Sequence, residues 1–373
     1  MTTGLRLRHQ NKQLVPSGGR PHIESDDLLI DILSRLPVKT LIQFRCVCKS
    51  WRALISDSHL VTMHLRRSNR RCRLLFSLAP FQSIDISALN DAVCSVSSTS
   101  LDLPIPVETL KIVGSCNGLI CLLKNSSFVI FWNPSTRVTR FLPMPNHSHL
   151  GIVVFYGFGY DSTIDDYKVV FGCRGQRNGA LATAVVMFQL KTGSWRIIDG
   201  LDYVNLNGQG CLINGALHWV EMKWEAGVTI RPVLSARIMC FDLAEGTFRE
   251  LIPLSYLSRE YISARIGIAE NSLFVYIYNS SEITMWVMGE SWTKVMQIPT
   301  EIPQLPIGYC YSFSTPICIL ENGEVLMNSN GKYLVLYSPN GGACVNVLET
   351  PVDLAPEPAM YVESLVSPFK ENI

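Results

Sequence analysis

Two patterns of hydrophobic residues divide the chain near Arg71. Before this point, apolar residues recur three and four positions apart, which is the spacing of an amphipathic helix. After it, short apolar runs alternate with turn residues, which is typical of a domain built from many β-strands. The two patterns predict a small all-α domain followed by a larger all-β domain.

The first pattern predicts three short helices. The first begins at Ser25, a capping residue that two acidic residues follow. It should end near Arg35, because Pro37 disfavours helical geometry at the residue before it. We expect a second helix over residues 39–45 and a third that starts near Cys46. So short a unit cannot bury all of its apolar side chains, and the surplus either packs on the following domain or forms an interaction surface.

The run "DDLLIDILSRLPVKTLIQFRCVCKSWRALISD" resembles an F-box of the plant type. It carries the family's I-L-S-R-L-P, a following Leu, and V-C-K-S-W. The resemblance implies a surface that binds the small adaptor subunit of SCF ubiquitin ligases. The residues implied in that surface are Leu28, Ile32, Leu33, Leu36, Pro37, Leu41, Val47, Cys48 and Trp51. Cys48 is then a small hydrophobic residue, and not a nucleophile or a metal ligand.

The chain departs from the F-box pattern at one place. The family usually opens with Leu-Pro, where this chain has Glu24 and Ser25. Ser25 still caps the helix, but the pair lacks the apolar corner that Leu-Pro offers the adaptor. We expect adaptor binding nonetheless, with a lower affinity that Ile23 partly restores.

Five stretches of the second region share an aromatic strand, a polar turn and usually a second strand. They are "VIFWNPSTRVTRFLP", "VVMFQLKTGSWRIID", "IMCFDLAEGTFRELIP", "TMWVMGESWTKVMQIP" and "LVLYSPNGGACVNVLE". Their aromatic residues recur every 45 to 56 positions, which is the period of a propeller blade. With further strands near residues 74–78 and 100–103, the repeats predict six blades. Closure is expected through pairing of residues 361–366 with residues 74–78, since an open ring would leave strand edges unpaired.

The second region resembles the F-box-associated β-propeller of plant F-box proteins. The motifs are "GSCNGLICL", "FWNPSTR", "YGFGYDSTIDDYKVV", "NGALHWV" and "YVESLVS", and the resemblance covers nearly all of residues 72–368. The expected organisation is a disordered basic tail (residues 1–22), an F-box (23–70), the propeller (72–368) and a short tail (369–373). An organelle transit peptide is the alternative for the first tail.

Composition and charge indicate the class of protein, the kind of partner and the cellular compartment. Hydrophobic residues make up 47% of the chain and charged residues 17%, which indicates a folded globular protein. Residues 1–71 hold 13 Lys and Arg against 5 Asp and Glu, so an acidic partner is expected, a protein in preference to a nucleic acid. The 12 cysteines are scattered without a CxxC pair, which favours the cytoplasm or nucleus. Prolines interrupt the longest uncharged stretch, residues 302–320, so no membrane span is expected.

Loops that combine aromatic residues with arginine are the candidates for substrate binding, because interface centres favour these residue types. They contain Arg174, Arg177, Trp224, Arg231, Tyr256, Arg259, Tyr261, Tyr309 and Tyr311. A glycine-rich anion cradle around the first two arginines is an alternative reading of that loop. No catalytic triad, metal-ligand spacing or dinucleotide fingerprint is recognisable. We therefore expect no cofactor, no metal and no catalysis by this chain.

The resemblance implies a substrate-recognition subunit of an SCF-type cullin-RING ubiquitin ligase. In that role the F-box binds the adaptor, and through it the cullin and RING subunits, while the propeller binds an unknown protein substrate. The alternatives are a propeller that binds proteins independently of the ligase, an enzyme that uses the central channel, and a nucleic-acid binder that uses the basic N-terminal region.

Overall fold

Four helices form the described part of the N-terminal domain. The computed structural model describes residues 25–68, 72–76, 80–89, 98–103, 110–145, 151–177, 179–198, 205–224, 233–254, 263–269, 272–279, 281–299, 314–320, 322–329, 333–339, 344–349 and 358–369. The helices are α1 (Ser25–Leu33), α2 (Val38–Phe44), α3 (Lys49–Ser56) and α4 (Ser58–Ser68). The predicted tails, residues 1–22 and most of 369–373, lie outside the described residues.

The prediction of three helices was wrong in number, because α4 follows α3 after a single residue. That residue, Asp57, has an extended backbone with φ −67° and ψ 136°, which ends α3. Its carboxylate accepts hydrogen bonds from the backbone N–H groups of His59 at 2.9 Å and Leu60 at 3.4 Å. Asp57 therefore caps a new helix in the manner of an N-cap residue.

Six sheets form the described part of the β domain, in agreement with the predicted six-bladed propeller. Blade 1 contains β1 (Cys72–Phe76), β2 (Phe81–Asp85), β3 (Thr99–Leu101) and β25 (Ala359–Val362). Blade 2 contains β4 (Leu110–Cys116), β5 (Leu119–Lys124), β6 (Phe128–Asn133) and β7 (Val138–Pro143). Blade 3 contains β8 (Ile152–Asp161), β9 (Asp166–Arg177), β10 (Ala180–Gln189), β11 (Ser194–Ile198) and the short parallel strand β12 (Gly208–Gln209).

In the part of the chain that the structure describes, the remaining three blades have four antiparallel strands each. Blade 4 contains β13 (Cys211–Ile213), β14 (Ala216–Trp224), β15 (Val233–Asp242) and β16 (Thr247–Pro253). Blade 5 contains β17 (Ser263–Ala269), β18 (Ser272–Tyr278), β19 (Glu282–Met288) and β20 (Trp292–Pro299). Blade 6 contains β21 (Ser314–Ile319), β22 (Val325–Ser329), β23 (Tyr333–Tyr337) and β24 (Cys344–Glu349). The five aromatic repeats of the sequence are the third and fourth strands of blades 2 to 6.

The ring closes in blade 1, where the last strand of the chain pairs with the first. β25 runs antiparallel to β1, with Tyr361 opposite Arg73 and Ala359 opposite Leu75. Closure between the two chain ends is therefore confirmed. The closing strand is shorter than predicted and stops at Val362, because the next residues leave the sheet and bond to blade 2.

Strand direction assigns every turn to one of two propeller faces. β25 ends and β1 begins on the side that carries the helices, which we call the near face. Because neighbouring strands within a blade are antiparallel, the turns between first and second strands and between third and fourth strands also lie on the near face. The hairpins between second and third strands, and the ends of strands that lead from blade to blade, lie on the opposite side, the far face.

Glycines permit the close approach of some of these strands. In β9, a Cβ atom at Gly172 would lie 1.9 Å from the ring of Phe155. That ring is fully buried and packs edge-to-face on Trp219 of blade 4, with the ring centroids 5.3 Å apart. Aromatic side chains of adjacent blades thus fill the space between the sheets.

Candidate functional site

The helical domain exposes an apolar surface formed by three residues. Leu28 and Ile32 lie one turn apart on α1, and Val47 lies in the turn before α3. Their side chains are 57%, 49% and 63% exposed, although their residue types are usually buried. We call this group the α1 surface patch. Exposed apolar side chains on a small domain indicate an interaction site.

The other residues of the predicted adaptor surface occupy different positions. Leu33 and Leu41 are buried in the core of the helical domain, so in this conformation they support the patch without forming it. Leu36 and Trp51 are partly buried against the same core, and Trp51 packs edge-to-face on Phe44 with ring centroids 5.3 Å apart. Pro37 and Cys48 are exposed beside the short helices.

Cys48 caps helix α3. Its sulfur accepts a hydrogen bond from the backbone N–H of Trp51 at 3.4 Å and lies 3.1 Å from the hydroxyl of Ser50. The hydrogen bond with Ser50 and the bond from the Trp51 backbone hold the pKa of the exposed thiol below its usual value. This contact gives the residue a structural role at the start of α3.

Ion pairs of Asp31 hold the C-terminal half of α1 against α4. Asp31 contacts Arg35 at 3.0 Å and Arg67 at 2.8 Å, and Arg67 also donates to the backbone oxygen of Asp31 at 3.1 Å. The hydrogen bonds from Arg35 and Arg67 hold the pKa of Asp31 below its usual value. One side of α1 is tied to α4 in this way, while Leu28 and Ile32 of the same helix stay exposed.

Three of the predicted substrate residues, Arg174, Arg177 and Trp224, lie in described strands that run toward the far face. Arg174 is half-buried and donates a hydrogen bond to the side chain of Asn205 at 3.0 Å. Asn205 in turn donates to the backbone oxygen of Met222 at 2.6 Å, so blades 3 and 4 are joined here. Arg177 and Trp224 end β9 and β14 on this face, but their side chains lie outside the described residues. The remaining candidates, Arg231, Tyr256, Arg259, Tyr261, Tyr309 and Tyr311, also lie outside the described residues.

Two features of the far face were not predicted from the sequence. Ile152 and Leu181 of blade 3 are strongly exposed at the ends of their strands. In addition, a cavity of about 500 Å³ lies among the first strands of the six blades, and its lining includes residues 207–210, which lead into blade 4 on the far face. Among the described residues that line it, Arg265 is the only charged one. Exposed apolar side chains and a cavity are features of binding sites, so the described part of the far face is a candidate for binding another molecule.

His218 and two glycines of β8 have structural roles. His218 is buried, and its Nδ1–H donates to the backbone oxygen of Cys211 at 3.3 Å, as expected of a core histidine. Gly157 and Gly159 lie in β8, where a Cβ atom would approach leucines of blade 4 to 2.8 and 2.6 Å. Within the described residues, no three His, Cys, Asp or Glu side chains cluster as metal ligands. None of the described helices is long and apolar enough to cross a bilayer.

Comparison with known protein families identifies both domains. The F-box domain family matches residues 25–62, and the F-box associated beta propeller domain family matches residues 73–368. The chain belongs to the F-box proteins. Its resemblance to plant F-box proteins is thereby confirmed, and the helical domain and the propeller are the two domains that this resemblance implied.

Relatives of similar length come from Arabidopsis thaliana. The F-box/kelch-repeat protein At3g23880 is 26% identical over 371 residues, which cover 93% of this chain and 96% of the relative. The F-box protein CPR1 is 30% identical over 351 residues, covering 83% of this chain and 81% of the relative. The similarity extends over both the F-box and the propeller.

A buried histidine near the junction of the F-box and the propeller predicts a pH dependence. His64 of α4 donates from Nε2 to the backbone oxygen of Leu36 at 2.9 Å, and burial lowers its pKa below the ordinary value of 6.5. In the window between this lowered pKa and 6.5, the unfolded chain binds more protons, so stability decreases as the pH falls.

We expect a lower thermal unfolding midpoint at pH 5.5 than at pH 7.5 (about one unit on either side of an ordinary histidine pKa). His64→Gln keeps a donor for Leu36 and should reduce this difference. Part of it should remain, because burial also lowers the pKa of His218. An unchanged pH dependence in His64→Gln would show that His64 does not contribute.

Proposed function

We propose that this F-box protein is the substrate-recognition subunit of an SCF-type cullin-RING ubiquitin ligase. The observation that carries the proposal is the pairing of an F-box that exposes Leu28, Ile32 and Val47 with a propeller that exposes Ile152 and Leu181 on its far face. The first surface suits the apolar contact that the adaptor requires. The second suits the binding of a protein substrate.

In this role the chain makes and breaks no covalent bond. It binds the adaptor on one side and the substrate on the other, and thereby raises the effective concentration of substrate lysines near the ubiquitin carrier. The near face carries the F-box, and so the substrate would bind to the far face. We place the complex in the cytoplasm or nucleus, where the thiols of the nine described free cysteines would stay reduced.

A matched pair of variants tests the substrate face. Leu181 is 59% exposed in the β9–β10 hairpin of the far face, and Ile164 is 49% exposed in the β8–β9 turn of the near face of the same blade. We expect proteins that accumulate in cells without this chain to fall again when the wild-type chain or Ile164→Asp is restored. Leu181→Asp should leave them elevated, as quantitative proteomics would show.

Two outcomes would contradict the proposal. If no protein accumulates when the chain is removed, the ligase role is wrong. If Leu181→Asp restores the original levels as well as the wild type does, the substrate does not contact this part of the far face.

A second candidate function is protein binding by the propeller independently of the ligase. The observation in its favour is Glu24-Ser25 in place of the usual Leu-Pro of the F-box, since this lowers the apolar area available to the adaptor. Replacing this pair by Leu-Pro should then increase adaptor binding from an undetectable level. Under the ligase proposal, the wild-type chain already binds the adaptor and the replacement only strengthens the complex.

A further inference from the structure

The residues that follow the closing strand contact both domains. We call residues 363–369 the C-terminal clasp. Leu365 is buried in the core of the F-box together with Leu33 and Leu41. The next residue, Val366, is buried in the core between blades 2 and 3. Two successive side chains are thus inserted into two different domains.

Asn133 holds the backbone of the clasp. It is fully buried in the β6–β7 turn, and its side-chain nitrogen donates to the backbone oxygens of Ser364 at 3.0 Å and Val366 at 2.8 Å. Its side-chain oxygen accepts hydrogen bonds from the backbone N–H groups of Ser135 and Thr136, which shape the turn itself. The oxygen of Asn133 therefore builds the turn, while its nitrogen binds the clasp.

The neighbouring parts of blade 2 fit the clasp closely. Gly118 has φ +80°, and a Cβ atom there would lie 2.3 Å from the hydroxyl oxygen of Ser364. Further along, Arg140 donates to the backbone oxygen of Pro368 at 3.1 Å, and its guanidinium lies 5.9 Å from the ring centroid of Phe369. Contacts from blade 2 therefore continue to the end of the clasp.

Helix α4 provides a second connection beside the clasp. Val61 packs against both the F-box core and the core between blades 2 and 3. Leu65, one turn later, packs against the propeller core as well. The F-box is thus held on the near face from two sides, by α4 and by the clasp.

We propose that the C-terminal clasp is a positioning element that fixes the F-box relative to the propeller. The role of this positioning rests on the proposed ligase function. A substrate on the far face reaches the ubiquitin carrier at a constant distance only if the two domains do not move independently, and effective concentration depends strongly on such geometry. Asn133 acts through the clasp and touches neither partner.

The variant Asn133→Asp tests the clasp selectively. Its carboxylate keeps the acceptor that shapes the turn, but it sets a second acceptor against the oxygens of Ser364 and Val366. We expect amide hydrogen exchange in α4 to rise at least about tenfold, because the helices then open locally while the propeller stays folded. Solution X-ray scattering of the full chain should broaden at the same time, and adaptor affinity should stay within about threefold.

Asp242→Asn is the matched control. Asp242 occupies the corresponding turn of blade 4, where its carboxylate accepts from the backbone N–H groups of Ala244 and Glu245. The Asp242→Asn variant should leave amide hydrogen exchange in α4 unchanged. Phe369→Ala, at the exposed end of the clasp, should leave it unchanged as well. If Asn133→Asp does not fold, Leu365→Ser removes the F-box anchor with the same expected result.

The proposal is overturned if a folded Asn133→Asp or Leu365→Ser chain keeps wild-type exchange in α4 and wild-type scattering. Both measurements use the full chain without any partner. A negative result in both measurements would therefore not contradict the proposed ligase function. Conversely, a chain that does not bind the adaptor could still use the clasp to hold its two domains together.

Discussion

Ile32→Asp should weaken binding of the adaptor by at least about a hundredfold, while the chain itself stays folded. Ile32 is about half exposed on α1, so an acidic residue costs the free chain on the order of 0.5 kcal/mol. In a complex, the same carboxylate would be buried against apolar partner atoms without a compensating charge. Such burial costs several kcal/mol, which accounts for the expected loss of affinity.

Titration calorimetry with the purified adaptor measures this effect. Ile197→Asp is the control, because Ile197 is 57% exposed on the outer strand β11 of the propeller, away from the F-box. It should bind as the wild type does. If Ile32→Asp also binds with wild-type affinity, the α1 surface patch is not the adaptor site.

Lys168→Ala should lower the free energy of unfolding by about 3–5 kcal/mol. Lys168 and Asp161 form a buried ion pair at 2.6 Å on the near face, and Lys168 also donates to the backbone oxygen of Leu243 at 2.5 Å. Burial by itself would raise the pKa of Asp161, but hydrogen bonds from Lys168 and Thr163 outweigh it and the pKa is lowered. Without Lys168, the buried carboxylate of Asp161 keeps its hydrogen bonds from Thr163 but loses its cationic partner. The carbonyl oxygen of Leu243 loses the Lys168 donor, and blades 3 and 4 lose a connection.

Chemical denaturation of Lys168→Ala and of a control variant measures this loss of unfolding free energy. Lys191→Ala is the control, since Lys191 pairs with Asp165 at 2.5 Å beside the same turn, but in the exposed position where ion pairs contribute at most about 1 kcal/mol. A loss for Lys168→Ala no larger than for Lys191→Ala would show that the buried pair does not stabilise the junction of the blades.

The propeller was predictable because its repeats are local in sequence. Trp132 and Phe188 mark corresponding strands, and Asn117 and Asn214 adopt the positive φ values of 53° and 50° that tight turns between first and second strands require. Each blade can therefore be recognised from a sequence pattern within about 50 residues. The closing strand was predictable as well, because a ring without it would expose an unpaired edge.

The details of the F-box and the clasp were harder to predict from the sequence. Apolar spacing places Ile32 and Leu33 in one helix, but it does not show which of them faces the core and which faces a partner. Helix α4 was missed because only the capping by Asp57 separates it from α3. The clasp depends on a hydrogen bond between Asn133 and Ser364, 231 residues apart, and spacing along the chain carries no signal for such a contact.

The most direct test of the proposed function is the co-elution of the purified full-length chain with adaptor, cullin and RING subunits in size-exclusion chromatography. We expect a single complex with one copy of each subunit, and loss of this chain from the complex when Ile32→Asp replaces the wild type. A folded wild-type chain that elutes separately from the adaptor at concentrations on the order of 10 μM, which correspond to a binding free energy weaker than about −7 kcal/mol, would contradict it.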